Sequence, residues 1–376
     1  MRVLAISYYA VLGGAELHLA AFAEFRPPDV EIEVLILDEG PLAERLAALG
    51  IPTATAHGYA GRPDWRRLAR FTRAFVRALR RSPPDVVWAN GQKAALLAAP
   101  ACRLLGVPVV WHKLDFSHDR RLGLALGIAC NGVVGVSHAV LGALGPLRTR
   151  RTLGVAGVPI RLPKDAVAQP DRERPVIGSL ARLVPYKGLH HIIEAAAALR
   201  EEFPEIRVIL AGSPAREYPD YRDRLLKLAR ALDLADRVEL PGFVEDPRGL
   251  LERFSVFVSA TYRDEDGFGL EGLAGAVLEA SWIGIPVVAT RAGGTLESVR
   301  HGLTGTLVDD AEGLAPAIAA YLRDPALAER TGAAGREFTH PRFAPGMTAE
   351  RLFAMLRSVA RQPAAGRPGR SGRHRP

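Results

Sequence analysis

Short runs of Val, Ile and Leu recur along this chain at helix-length intervals, and they do so in two sets. The first set is Val3–Ser7, Val34–Leu37, Val86–Ala89, Val107–Trp111 and Val133–Val136. The second is Val176–Leu180, Val208–Ala211, Val238–Leu240, Val256–Ser259 and Pro286–Thr290. Runs this short and this apolar read as strands buried on both faces. Separated by a dozen or so residues of helical pattern, they require helical crossovers between parallel strands. The prediction is an α/β chain of two parallel-sheet domains facing each other across a cleft. Pro159–Pro175, rich in Pro and charge and without periodicity, marks the boundary.

At 376 residues each half can bury its own core. No stretch approaches about 18 consecutive apolar residues, so no transmembrane helix is expected. The opening Met-Arg-Val-Leu-Ala-Ile-Ser has too short an apolar run for a signal peptide and reads as the first strand. Cys102 and Cys130 are too few for a disulfide framework and read as reduced core thiols of a cytoplasmic protein. The net charge of +8 is uneven: residues 1–170 carry 21 Lys/Arg against 13 Asp/Glu, residues 171–360 carry 23 against 28, and residues 361–376 add five Arg and no acid. Basicity in the first half suits an acidic partner there, or else reflects general arginine usage. It is densest in Asp64–Arg81. There Leu68, Phe71, Phe75 and Leu79 form an apolar stripe, and Arg66, Arg67, Arg70, Arg73, Arg77, Arg80 and Arg81 fill the rest. Such a helix either packs its stripe on the sheet and solvates its arginines, or lies on an anionic membrane surface.

The chemistry concentrates between Glu271 and Ser298. A loop carries Glu271, and an apolar helix from about Leu273 to Ile283 carries Glu279. Gly284 ends that helix, and Pro286–Thr290 is a buried strand. Gly293-Gly294-Thr295 then opens another helix, whose N–H groups are expected to face an anion. Glu297 follows, to support that helix's dipole or to touch the ligand. Two acids and an anion hole at the carboxyl end of one strand match the place where open α/β sheets bind ligands. Gly13-Gly14-Ala15-Glu16, after the first strand, is a tight turn or a second close approach to a ligand. Ser137 reads as a helix N-cap facing the cleft.

Glu271 and Glu279 form a Glu-x7-Glu pair. With the Gly-rich loop behind it, and with Gly178 to Gly188 containing Arg182 and, five residues later, Lys187, this resembles the signature of the retaining glycosyltransferases of family 4. Those enzymes have the GT-B fold of two Rossmann-like domains. The resemblance implies an N-terminal acceptor-side domain at residues 1–165 and a nucleotide-sugar domain at 166–340. It also implies a helix at 341–360 returning to the first domain; residues 361–376 read as a disordered basic tail. Arg182 and Lys187 would stabilise a leaving nucleoside diphosphate, helped by the amides of Gly293, Gly294, Thr295 and Leu296. Glu279 would hold the ribose hydroxyls, and Glu271 the sugar or the charge developing at its anomeric carbon. His112, after the Val107–Trp111 strand, would lie against the donor sugar. Gly14 and Gly212 would bind the donor where it faces the cleft, and Phe243 and Val244 would neighbour the base or simply pack. His118 and Asp119 are weaker acceptor-side candidates.

Asp264-Glu265-Asp266 resembles the metal-binding triplet of a different glycosyltransferase fold, but in this chain it reads as a solvated loop. It also lengthens the run before Glu271, which leaves a second register with Glu265 as the first motif acid. The expectation is a retaining, metal-independent hexosyltransferase that takes a nucleotide-sugar donor and a glycan or lipid-linked acceptor. It would need no cofactor and bind no nucleic acid. It would be cytoplasmic, with a peripheral membrane contact through Arg66–Arg81. The rival readings are a nucleotide-sugar 2-epimerase of the same architecture and a non-catalytic nucleotide-sugar-binding subunit. A dinucleotide oxidoreductase is disfavoured, since no Gly-x-Gly-x-x-Gly stands immediately after a strand-like run.

Overall fold

Two parallel sheets make up the computed structural model, which describes residues 1–56, 65–117, 122–145, 151–264 and 269–360. The first sheet contains β1 (Arg2–Ser7), β2 (Glu31–Ile36), β3 (Thr53–Thr55), β4 (Val86–Asn90), β5 (Val109–Lys113), β6 (Gly132–Gly135) and β7 (Thr152–Val155). Its order is β3-β2-β1-β4-β5-β6-β7. The second contains β8 (Val176–Leu180), β9 (Arg207–Ala211), β10 (Val238–Gly242), β11 (Val256–Ser259), β12 (Val287–Thr290) and β13 (Thr306–Val308), in the order β10-β9-β8-β11-β12-β13. Strand order reverses between β1 and β4 in the first sheet and between β8 and β11 in the second. Each reversal opens a crevice at the strands' carboxyl ends.

Around the first sheet lie α1 (Gly14–Glu24), α2 (Pro41–Ala48), α3 (Trp65–Arg81), α4 (Gln92–Leu105), α5 (Leu122–Ala129) and α6 (His138–Gly142). Around the second lie α7 (Leu189–Leu199), α8 (Tyr221–Ala231), α9 (Arg248–Leu251), α10 (Gly275–Trp282), α11 (Thr295–Ser298), α12 (Leu314–Arg323) and α13 (Pro325–Phe343). The last helix, α14 (Pro345–Val359), starts after a break at Ala344.

The ten expected strands are present, with shifted ends. β5 starts two residues late because Pro108 has no N–H to give the ladder, and it runs on through Lys113. His112 is therefore inside the strand, opposite Asn90 and Val134, and does not follow it. Three further strands, β3, β7 and β13, are short and lie at sheet edges. The basic helix α3 buries Phe71, Phe75 and Leu79 against the first sheet and exposes Arg70, Arg73, Arg77, Arg80 and Arg81, so its stripe serves the core. The expected helix from Phe343 to Leu356 is displaced: Phe343 ends α13, and Pro345 opens α14. Here α14 returns to the first domain, where Ala349, Leu352, Phe353 and Leu356 are buried with Val3, Phe22 and Trp88. The two chain crossings between the domains meet where Ile160 N donates to Phe343 O at 2.9 Å.

Candidate functional site

The reversal point of the second sheet assembles a charged cluster. β8 ends at Leu180 and delivers Arg182 and Lys187; β11 ends at Ser259 and delivers Thr261 and, after a loop, Glu271. Lys187 Nζ donates to Glu271 Oε1 at 2.5 Å, and Thr261 Oγ1 donates to the same oxygen at 2.7 Å. Thr261 is in turn fixed by Thr290 of β12, whose hydroxyl donates to the Thr261 carbonyl. Arg182 is exposed and is steadied by a 2.8 Å bond from Nη2 to the Tyr186 hydroxyl. Burial pushes the Glu271 carboxyl up. The Lys187 charge, hydrogen bonds from Lys187 and Thr261 and the Arg182 field outweigh it, so the group ends below the usual carboxylate range. Glu271 is thus a fixed anion with a cation pressed against it.

Glu279, eight residues further along the same motif, has the opposite environment. It sits on α10, and burial alone pushes its carboxyl up to about 7. Among the described residues no compensating charge or hydrogen bond acts on it. A half-buried acid kept without a protein partner is suited to a ligand hydroxyl.

Glycines bring the loops together. A Cβ on Gly212 would lie 1.8 Å from Ala181 O, and one on Gly294 would lie 2.2 Å from Gly272 O. Gly293 adopts φ 59°, a conformation that favours glycine, and is bridged to Glu271; Gly294 N donates to Glu271 O at 2.6 Å. That bond corrects the expectation of free amides. Gly294 N is used by Glu271 O, Thr295 N bonds Ala292 O at 3.2 Å, and Leu296 N bonds Gly293 O at 3.4 Å. The loop after β12 is closed upon its neighbours, because α11 is a single turn whose own amides turn inward. Leu296 is exposed, and Thr295 is buried with its hydroxyl unpartnered. Phe243, 45% exposed, and Val244 follow β10, and the next residue, Glu245, forms an ion pair across the cleft with Arg45 of α2.

From the first domain, the turn before α1 faces this cluster. Gly14 is exposed, and a Cβ there would meet nothing within 4 Å. Glu16 is 6% exposed; burial raises its carboxyl to about 7 against the opposing effects of its own and Gly13's amides and of Arg182. His112 is 1% exposed, between the rings of Phe22 and Trp88, with both ring nitrogens unpartnered. Burial, with His18 nearby, lowers it to about 3. The structure therefore sets His112 beneath α1, inside the first domain. His18, which the sequence reading passed over, lies closer to the second domain: a Cβ on Gly275 at the start of α10 would be 3.4 Å from His18 Nε2. It stands four residues after Gly14, on the same helix face, which is the signal that could have found it.

Ser137 caps α6, accepting from Val140 N at 3.1 Å, and its hydroxyl also reaches the second domain. Glu297 lies in the first turn of α11, and both its carboxylate oxygens accept from amides of α6. His118, Asp119, Glu265 and Asp266 lie outside the described residues, so the alternative register through Glu265 does too. Among the described residues no three His, Cys, Asp or Glu side chains converge as a metal site, and no helix is long and apolar enough to cross a membrane.

Two sheets with carboxyl ends opposed, and a cation–carboxylate cluster between them, define a GT-B glycosyltransferase architecture. Residues 163–338 match the family model described as glycosyl transferases group 1, and residues 12–145 match glycosyltransferase family 4. The chain belongs to this group 1, family 4 glycosyltransferase family. It is 36% identical over 171 residues to the GDP-mannose-dependent alpha-(1-6)-phosphatidylinositol monomannoside mannosyltransferase of Mycolicibacterium smegmatis, a match spanning 44% of this chain and 43% of that one. To the protein of the same description from Mycobacterium tuberculosis it is 28% identical over 296 residues, covering 73% and 76%. Among solved structures, Anabaena HepE in complex with UDP-glucose shares the fold with a TM-score of 0.81 at 24% identity, over 95% of this chain and 100% of that one.

Proposed function

We propose that the chain is a retaining, metal-independent hexosyltransferase that moves a sugar from a nucleoside diphosphate donor to a hydroxyl on a lipid-linked or glycan acceptor. The observation that carries the reading is the pairing of two unlike acids at one sheet reversal: Glu271 ionised against Lys187, and Glu279 left without a partner among the described residues. In this reading Glu279 accepts the ribose hydroxyls. As the bond from the anomeric carbon to phosphate breaks, negative charge grows on the departing diphosphate, and Lys187 and Arg182 stabilise it. Glu271 faces the positive charge on the sugar. The acceptor hydroxyl attacks from the face the phosphate leaves, and its proton passes to a phosphate oxygen. No side chain of the cluster is needed as a nucleophile, and the fixed cations take the part a metal ion plays elsewhere.

The relatives named for GDP-mannose make GDP-mannose the first donor to test, with UDP-glucose second. The exposed arginines of α3 support docking of the first domain on an anionic membrane face, consistent with a peripheral cytoplasmic enzyme and a lipid-linked acceptor. The test is a thermal-shift panel of GDP-, UDP-, ADP- and TDP-sugars in EDTA, on the wild type and Glu279→Ala. One donor should stabilise the wild type and lose its effect in the variant. Stabilisation that needs magnesium would overturn metal independence, and a panel without any shift would overturn the donor site.

A further inference from the structure

The first turn of α6 has three amide N–H groups with no partner inside the helix. Ser137 takes that of Val140, as noted. The other two are taken by the opposite domain: Glu297 presents Oε2 to His138 N at 2.9 Å and Oε1 to Ala139 N at 2.6 Å. Ser137 Oγ donates to Gly272 O at 2.5 Å. One loop of the first domain thus holds both the residue next to Glu271 and the helix next to Gly293 and Gly294. There is little slack, because a Cβ on Gly272 would lie 2.0 Å from Leu114 O, and one on Gly293 would lie 2.9 Å from the Phe116 ring. Charged hydrogen bonds to backbone amides are among the strong ones, and the one from Ala139 N is short.

We infer that Glu297 is a positioning residue: by bridging to α6 it sets Glu271 and the loop after β12 in register with the first domain, so that the bound donor is aligned for transfer. The inference rests on the donor-site reading above. Glu297 touches no reacting atom, and Arg182, Lys187 and Glu279 keep their places within the second domain without it. Its loss therefore separates binding from turnover.

The experiment compares wild type, Glu297→Ala, Glu297→Gln and Ser137→Ala by three readouts. These are amide hydrogen exchange at His138 and Ala139, affinity for GDP and UDP, and release of nucleoside diphosphate from GDP-mannose and UDP-glucose. In the Glu297 variants exchange at both amides should accelerate, nucleotide affinity should stay within about threefold, and turnover should fall about 100-fold, as expected for a misalignment of about 1 Å. Unchanged exchange overturns the bridge. Faster exchange with unchanged turnover, or with affinity and turnover falling together, overturns the positioning role. Should the Glu297 variants not fold, Ser137→Ala decides: lower turnover at unchanged affinity supports the inference, and unchanged turnover overturns it. A wild type that binds neither nucleotide overturns the donor-site reading and the inference with it, a result distinct from a wild type that binds and turns over.

Discussion

Replacing Glu279 by Gln should make the protein more stable and a worse donor binder, with both effects dependent on pH. Burial carries this carboxyl from its ordinary 4.5 to about 7. Between those values the folded chain holds a proton that the unfolded chain has released, so wild-type stability falls as pH rises through the window and levels off above it. The full difference of roughly 2.5 units corresponds to about 3 kcal/mol at pH 8. Glutamine does not titrate. The variant should therefore match the wild type near pH 4, draw ahead by about 1.4 kcal/mol per pH unit, and end about 3 kcal/mol ahead at pH 8, a rise in Tm of roughly 6 to 12 °C for a domain of this size. Binding runs the other way. Ribose hydroxyls donate to the ionised acid, so wild-type donor affinity should fall up to about tenfold per unit below pH 7, while the variant binds weakly and without that slope. Thermal unfolding at pH 4, 5, 6, 7 and 8, with and without GDP-mannose, measures both. A stability difference that is absent at pH 8, or that does not change with pH, would refute an uncompensated carboxyl at this position.

Lys187→Ala should cost about 3 kcal/mol in denaturant unfolding by leaving Glu271 without its counter-charge, and adding Glu271→Ala should recover part of that loss. Donor turnover in the single variant should fall by about 10² to 10³; a turnover unaffected by Lys187→Ala removes it from the chemistry. Gly294→Ala should lose stability and donor binding together, since its methyl would fall 2.2 Å from Gly272 O. Gly14→Ala, with open space at that point, should keep the wild-type Tm and alter ligand affinity alone. Equal Tm losses at the two glycines would contradict the packing described here.

What the sequence disclosed divides along a physical line. The central strands were legible because burial on both faces demands unbroken Val, Ile and Leu. The edge strands Thr53–Thr55, Thr152–Val155 and Thr306–Val308 carry Thr and Gly, lie at or beside the sheet margins and have no such signature. The two-domain arrangement followed from the repeat of one plan in two halves, and its GT-B form from the resemblance carried by the Glu271 to Glu279 motif. Glu271, Glu279, Arg182 and Lys187 stood out by residue type and spacing, and the structure brings Glu271 and Lys187 into contact. What could not be read were contacts over long sequence separations. Glu297 looked like support for its own helix, yet it serves amides 158 and 159 residues away. The amide of Gly294 looked free because its acceptor, Glu271 O, belongs to another loop. Thr261 and Thr290, which brace Glu271, have nothing in their local sequence to mark them.

The return of α14 to the first domain has a consequence for how this chain leaves the ribosome. Leu352, Phe353 and Leu356 complete a core whose other members, from Val3 to Ala156, are translated much earlier. At about 5–20 residues per second, roughly 10 to 40 s separate the end of β7 from the emergence of α14. Throughout that interval the first domain presents the apolar face of β4, β6 and β7 uncovered, while the second domain is still being synthesised and completes its own core with Phe338 and Phe343, just ahead of α14. The half of the protein that is synthesised first is thus the half that finishes folding last, and in the meantime its exposed face is one a chaperone would recognise.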